Sequence, residues 1–233
     1  MTGPTPEHPT FRPVADHALL VEFGDIIADD IHAAVLRLDR ALTDAPARGV
    51  IEAVPAYASL LVEFDPVLTD HAQLRDALTL LLATATDAPG TQALRDVEVC
   101  YEGDCAPDMD QVARQTGLSA DAVIAAHLAG DYRVCMYGFA PGCAYLAGVP
   151  PELRLDRKVA PVRGVAAGTV LIAGPQCLVS TVTMPTGWWR IGTSPTPILL
   201  RDPARPFLFD VGDRVRFRRI GRDALNAARA DHG

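Results

Sequence analysis

From Tyr132 to Ile220, glycine or proline interrupts the chain every few residues. The stretches between them are short and apolar: YRVCMYGF, TVLIAG, CLVSTVT, TPILL, RPFLFD and DRVRFRRI. Long helices do not survive such punctuation, because proline removes a helical hydrogen bond and glycine raises the entropic cost of ordering. Short strands at regular spacing, with no 3.6-residue period, predict a closed or nearly closed β-barrel over residues 131–222.

The first part of the chain reads differently. HALLVEFG, residues 17–24, alternates as a strand does, and Asp29 or Asp30 is placed to cap a helix that carries Ile31, Val35, Leu38 and Leu42 on one face. Residues 50–66 read as two strands broken near Pro55–Ala58, residues 70–82 as a second helix, residues 83–92 as a loop and VEVCY, residues 97–101, as a further strand. That order is a split βαβ arrangement, so a small ferredoxin-like α/β domain is expected over residues 12–104, after a disordered segment 1–11. Pro107 and Ser119 open two helices that form a connector over residues 105–130, and residues 223–233 are a C-terminal tail. The expected fold class is α+β.

Charge narrows the partners. The formal net charge of −8 and the lack of a basic stripe argue against nucleic acid; the short Arg214–Arg222 cluster reads as solvated charge along an edge strand. No apolar run is long enough for a membrane span, and Met1–Pro13, with four prolines, does not read as a secretory signal, so a cytoplasmic chain is expected. Five cysteines in such a chain read as reduced thiols, and Cys100 and Cys105 have no second pair beside them, so no metal site is expected.

Two segments could carry chemistry. In YGFAPGCAYLAGVP, Gly138 and Gly142 let backbone approach a ligand, while Phe139 and Tyr145 can wall it; the same segment also reads as a tight barrel corner. Cys143 would need a nearby cation or helix N-terminus to act as a nucleophile, and otherwise reads as a small buried residue. In MPTGWWRIG, Trp188 and Trp189 cannot both enter the barrel from one strand, so one is expected either to face solvent, a groove or a partner or to lie half-buried under a cap. Arg157, Arg163 and Arg190 can each hold a carboxylate or phosphate through two parallel bonds.

In order and spacing, HALLVEFGD, AVPAYASLLVEFDP, VCYEGDCAPDMDQVARQTGLSADAVIAAH, YGFAPGCAYLAGVP, VAAGTVLIAGPQ, PTGWWRIG and FDVGDRVRFRRI resemble the family of 5-oxoprolinase B subunits, also called the allophanate hydrolase subunit 1 or KipI-like family. The resemblance implies a small α/β domain followed by a cyclophilin-like β-barrel. It implies an ATP-dependent complex with the paralogous 5-oxoprolinase C subunit, and usually the A subunit, that opens the lactam of 5-oxoproline to L-glutamate, with the ATP-binding component unassigned. Family relatives also act in urea amidolyase-type carboxyl transfer, or, as KipI does, bind and inhibit a sensor histidine kinase; both remain alternatives. The family blocks add Pro141, Gln176 and Thr186 to the substrate-binding candidates Gly138, Phe139, Gly142, Tyr145, Arg157, Arg163 and Trp188, and assign no catalytic residue. Two arginines of the family pattern are replaced here by Val162 and Thr193, and a usual aromatic by Cys143.

Overall fold

The alternation in HALLVEFG and SLLVEF makes one face of each strand apolar, and that face is buried. The computed structural model describes residues 5–85 and 92–232, and the chain divides between Thr91 and Gln92 into two units. The first unit contains β1 (Thr10–Val14), β2 (Ala18–Glu22), α1 (Asp29–Asp44), β3 (Val50–Pro55), β4 (Ser59–Phe64) and α2 (His71–Thr84). Its sheet is antiparallel throughout, in the order β1-β2-β4-β3. Leu19, Val21, Phe23, Leu60, Val62 and Phe64 meet Val35 and Leu38 of α1 and Leu74 and Leu78 of α2 in one core. Asp70 caps α2 by accepting from the amides of Ala72 and Gln73, both at 2.9 Å. Ala28 takes the cap position of α1, so Asp29 and Asp30 lie in its first turn, where the helix dipole favours acidic side chains.

Two expectations for this unit change. The strand flanking β2 is β1, drawn partly from the segment read as disordered, of which residues 1–4 lie outside the described residues. TFRPV is mostly exposed and joins the sheet edge through its backbone, where Pro13 is tolerated; it therefore leaves no apolar alternation to read. The strand expected to fill that place, β5 (Leu94–Cys100), belongs to the second unit. It runs parallel to β13 (Arg214–Ile220), in register from Leu94↔Arg214 to Cys100↔Ile220. The expected loop at residues 83–92 begins later, because Ala83 and Thr84 continue α2; residues 86–91 lie outside the described residues.

The second unit adds α3 (Met109–Thr116), α4 (Ala120–Ala129), β6 (Tyr132–Tyr137), β7 (Ala144–Ala147), β8 (Val162–Val165), β9 (Thr169–Ala173), β10 (Gln176–Val179), β11 (Met184–Thr186), β12 (Trp189–Thr193) and α5 (Arg222–His232). Seven strands close a barrel in the order β10-β7-β6-β13-β5-β12-β9, while β8 and β11 pair separately. Val97, Val99, Val134, Leu146, Ile172, Ile191 and Phe217 fill it, and Val112, Val123 and Ile124 of the two connector helices join the same core. The connector is thus part of the barrel unit.

The arginine-rich strand is not an edge. β13 lies between β5 and β6, and its outward Arg216 and Arg218 both engage Asp96 of β5. The runs TPILL and RPFLFD meet through a bridge between Leu199 and Phe207. The tail is helical, and its Leu225 is buried with Cys100 and Cys105. Among the described residues no helix is long and apolar enough to cross a membrane.

Candidate functional site

Strand alternation sends Trp189 into the barrel core and Trp188 onto the outer face of the wall. Neither is exposed, however: their relative accessibilities are 3% and 5%. Trp188 is covered by a second layer in which it packs with Cys143, Leu171, Leu178 and Met184. Tyr145 meets the indole edge-on at a centroid distance of 5.7 Å, and the Arg157 guanidinium lies 5.6 Å over it. Thr186 fixes the approach by accepting the Trp188 amide hydrogen at 3.0 Å.

The next residue repeats the contact. Lys158 Nζ sits 5.1 Å over Trp189, and the Lys158 amide donates to Gly187 O at 2.7 Å. Trp189 Nε1 donates to Asp156 O at 2.8 Å. Consecutive cations therefore cover consecutive tryptophans, an arrangement that favours the positive charge over each ring face.

Behind Lys158 is a buried ionic cluster absent from the sequence expectations. Asp108, the residue before α3, accepts from Lys158 Nζ, from the Arg190 amide at 2.8 Å, and from Arg190 Nε and Nη2 at 2.9 and 2.8 Å. Burial alone would raise its carboxyl, but the bonds from Arg190 and Lys158 reverse this and hold it below the usual carboxylate range. Arg190 does hold a carboxylate through two bonds, as its chemistry allows, but the carboxylate is the protein's own.

Lys158 faces a groove of about 580 Å3 between α3 and the segment Arg154–Ala160, with Trp189 and the exposed amides of Gln111 and Gln115 also in its lining. Arg154 is tethered through Nε to Val149 O at 2.9 Å. Among the described residues no carboxylate pairs with Arg157, which leaves its charge available to a ligand.

Of the ten residues singled out from the sequence, Arg157 lines this groove; Trp188, Tyr145 and Thr186 support it from behind. Gly138, Phe139, Pro141 and Gly142 form the β6–β7 turn. The turn ties the amides of Gly138, Ala140 and Cys143 to its own carbonyls, so those three donors are spent. Gly142 has φ +68°, and a Cβ there would come within 2.7 Å of Leu199 and 2.9 Å of Phe207, which is the barrel-corner requirement. Phe139 also has positive φ, +71°, and its ring is exposed. Gln176 begins β10 between Ala147 and Ala173, and Arg163 is exposed on β8. Neither of these two is among the residues that line the groove with Arg157.

Cys143 is fully buried, and burial pushes its thiol up to about 11, so the thiolate needed for nucleophilic attack is not available. Iodoacetamide should leave Cys143 unmodified in the native chain and alkylate it only after denaturation, as read by peptide mass spectrometry. His127, the histidine nearest it in sequence, is committed elsewhere: Nδ1 lies 2.8 Å from Tyr101 Oη, and Nε2 lies 3.7 Å from Cys177 Sγ in the barrel core.

Comparison with known proteins agrees with this architecture. The carboxyltransferase-domain family, subdomain C and D, matches residues 9–209. The 5-oxoprolinase B subunit of Bacillus subtilis (strain 168) is 32% identical over 225 residues, covering 92% of this chain and 94% of that protein. The crystal structure of TTHA0988 superposes with a TM-score of 0.76 at 36% identity over 88% of this chain, which spans only 40% of that longer chain. The Kluyveromyces lactis urea carboxylase shares the fold alone, with a TM-score of 0.80 at 19% identity; this chain covers 24% of it. The chain belongs to the carboxyltransferase-domain family and, within it, to the family of 5-oxoprolinase B subunits.

Proposed function

We propose that this family member is one component of an ATP-dependent complex that opens a cyclic or related amide, with 5-oxoproline as the first candidate substrate and L-glutamate as its product. The paralogous 5-oxoprolinase C subunit, together with the A subunit, is the proposed partner, and the complex is proposed to act in the cytoplasm. The observation that carries the reading is the groove, where Arg157 lies over Trp188 without a carboxylate partner among the described residues. A guanidinium held over an indole face can make two parallel bonds to a substrate carboxylate.

The chemistry explains the division of labour. A lactam is a stable amide, so its opening calls for transfer of the ATP γ-phosphoryl group to the carbonyl oxygen with release of ADP. Water then adds to that carbon, the C–N bond breaks as the ring nitrogen takes a proton, and a second water releases phosphate from the acyl phosphate. This chain supplies the anion clamp, and the buried pairing of Asp108 with Lys158 and Arg190 keeps the segment that carries Arg157 in place. ATP binding is not assigned to any residue here.

The test is ATP-dependent release of glutamate from 5-oxoproline by this chain co-purified with the proposed C and A subunits. Activity should vanish when the chain is omitted. Arg157→Ala should lower kcat/KM by about 10–100-fold, the equivalent of losing about 1.5–3 kcal/mol of charged hydrogen bonding. An assembled complex without turnover would overturn the lactam reading in favour of another amide or of carboxyl transfer. Failure to assemble, with capture of a histidine kinase instead, would overturn the enzyme reading.

A further inference from the structure

We infer that Gln111 and Gln115 form the specificity edge of this groove, reading an amide whose N–H and C=O lie on the same side, as in a lactam, a urea or a primary amide. The inference rests on the groove being the substrate site.

Its basis is local. Met109 and Val112 bury one face of α3 in the barrel core. Gln111 and Gln115, four residues apart, therefore share another face, and both line the groove exposed. A carboxamide carries a donor and an acceptor side by side. Both are satisfied by a single ligand group only when that group offers an acceptor next to a donor. A trans secondary amide, the ordinary peptide geometry, points its N–H and C=O in opposite directions and cannot do this. In a small lactam ring the bond is held cis, and the two groups fall on one edge.

The charges around the edge select further. Three cations, Arg154, Arg157 and Lys158, and one carboxylate, Asp156, share the lining. Lys158 is committed to Asp108, and Arg154 is partly committed to Val149 O. The remaining guanidinium, Arg157, lies on the groove segment opposite α3. The ligand class is thus a small cis-amide that also bears a carboxylate, with the amide edge toward α3 and the anion toward Arg157.

The experiment is equilibrium binding, read by the fluorescence of Trp188 and Trp189, with the chain alone and in its co-purified complex. Four probes separate the two halves of the groove: 5-oxoproline, N-methyl-5-oxoproline, proline and 2-pyrrolidinone. The wild type should prefer 5-oxoproline to its N-methyl form, and to proline, by about tenfold, the value of one unsatisfied hydrogen bond. Gln111→Leu/Gln115→Leu should bring the N-methyl ratio to about one. Both residues are exposed, so folding should be unaffected, and Gln111→Met/Gln115→Met, which has neither the amide donor nor its acceptor, should lose the same preference with side-chain size retained. Arg157→Ala should weaken 5-oxoproline but not 2-pyrrolidinone. A preference that survives both glutamine variants, with 5-oxoproline still binding through Arg157, would overturn the amide edge and leave the substrate site standing. No binding of any probe in either form would overturn both.

Discussion

Asp108→Ala will destabilise the barrel unit by about 3–5 kcal/mol, the cost of leaving buried charge without its partner. The size follows from the number of bonds that end on one carboxylate. Arg190 supplies three donors to it and Lys158 a fourth, and all three side chains are largely withdrawn from water. Removing the anion leaves two cations facing each other across a cavity. The loss should be visible in urea denaturation followed by tryptophan fluorescence, because both tryptophans of the chain belong to this unit. Asp108→Asn, which keeps the shape but not the charge, should recover only part of it. Adding Lys158→Met to Asp108→Ala should recover more, since it removes one stranded charge. A loss below about 1 kcal/mol would place the cluster in the range of solvated surface pairs and end its role as the anchor of the Arg157 segment.

The same cluster marks where sequence reading stops. Asp108 stands before a helix in the pattern P-D-M-D, which is also how an ordinary capping aspartate appears. Its side chain makes no capping bond and turns instead to residues 50 and 82 positions away. Pairings at such separations leave no periodicity. The barrel is legible because its strands are short apolar runs set between glycines and prolines; β9, buried along its whole length, shows why strict alternation is not the signal there. The two tryptophans are legible as opposed side chains, but the covering of Trp188 is not, because it comes from Arg157 and Cys143 elsewhere in the chain.

The N-terminal unit makes the same point through topology. Its helices and three of its four strands follow from local pattern, yet the fourth place in the sheet goes to β1 and not to β5. Val97 and Val99 are as apolar as any strand core. What sends β5 into the barrel is a parallel partner, β13, at the far end of the sequence. Composition identifies a strand of this kind; only the three-dimensional pairing says which sheet it completes.

Acidification should weaken the barrel unit well before its carboxylates titrate, through His127. The imidazole is completely buried among Tyr101, Tyr132 and Phe217, and this burial holds its pKa down at about 3 against an ordinary 6.5. Above about pH 7.5 the ring is neutral whether the chain is folded or not, and contributes almost no pH dependence. As pH falls below 6.5 the unfolded chain takes up a proton that the folded chain refuses, so stability drops by as much as about 1.4 kcal/mol per pH unit. Between pH 6.5 and 4.5 the loss should reach about 2.3 kcal/mol. Asp108, held below the usual carboxylate range, adds a loss of the same sign only below its ordinary 3.8. His17 is raised by its bond to Asp16 and has the opposite sign, but it is exposed and belongs to the other unit. Urea midpoints followed by tryptophan fluorescence at pH 7, 5.5 and 4.5 isolate the effect. His127→Gln keeps an acceptor for the Tyr101 hydroxyl and cannot be protonated; it should start less stable at pH 7 and show a nearly flat profile to pH 4.5. An unchanged slope in that variant would mean that some other group takes up the proton, and that the core around His127 admits water.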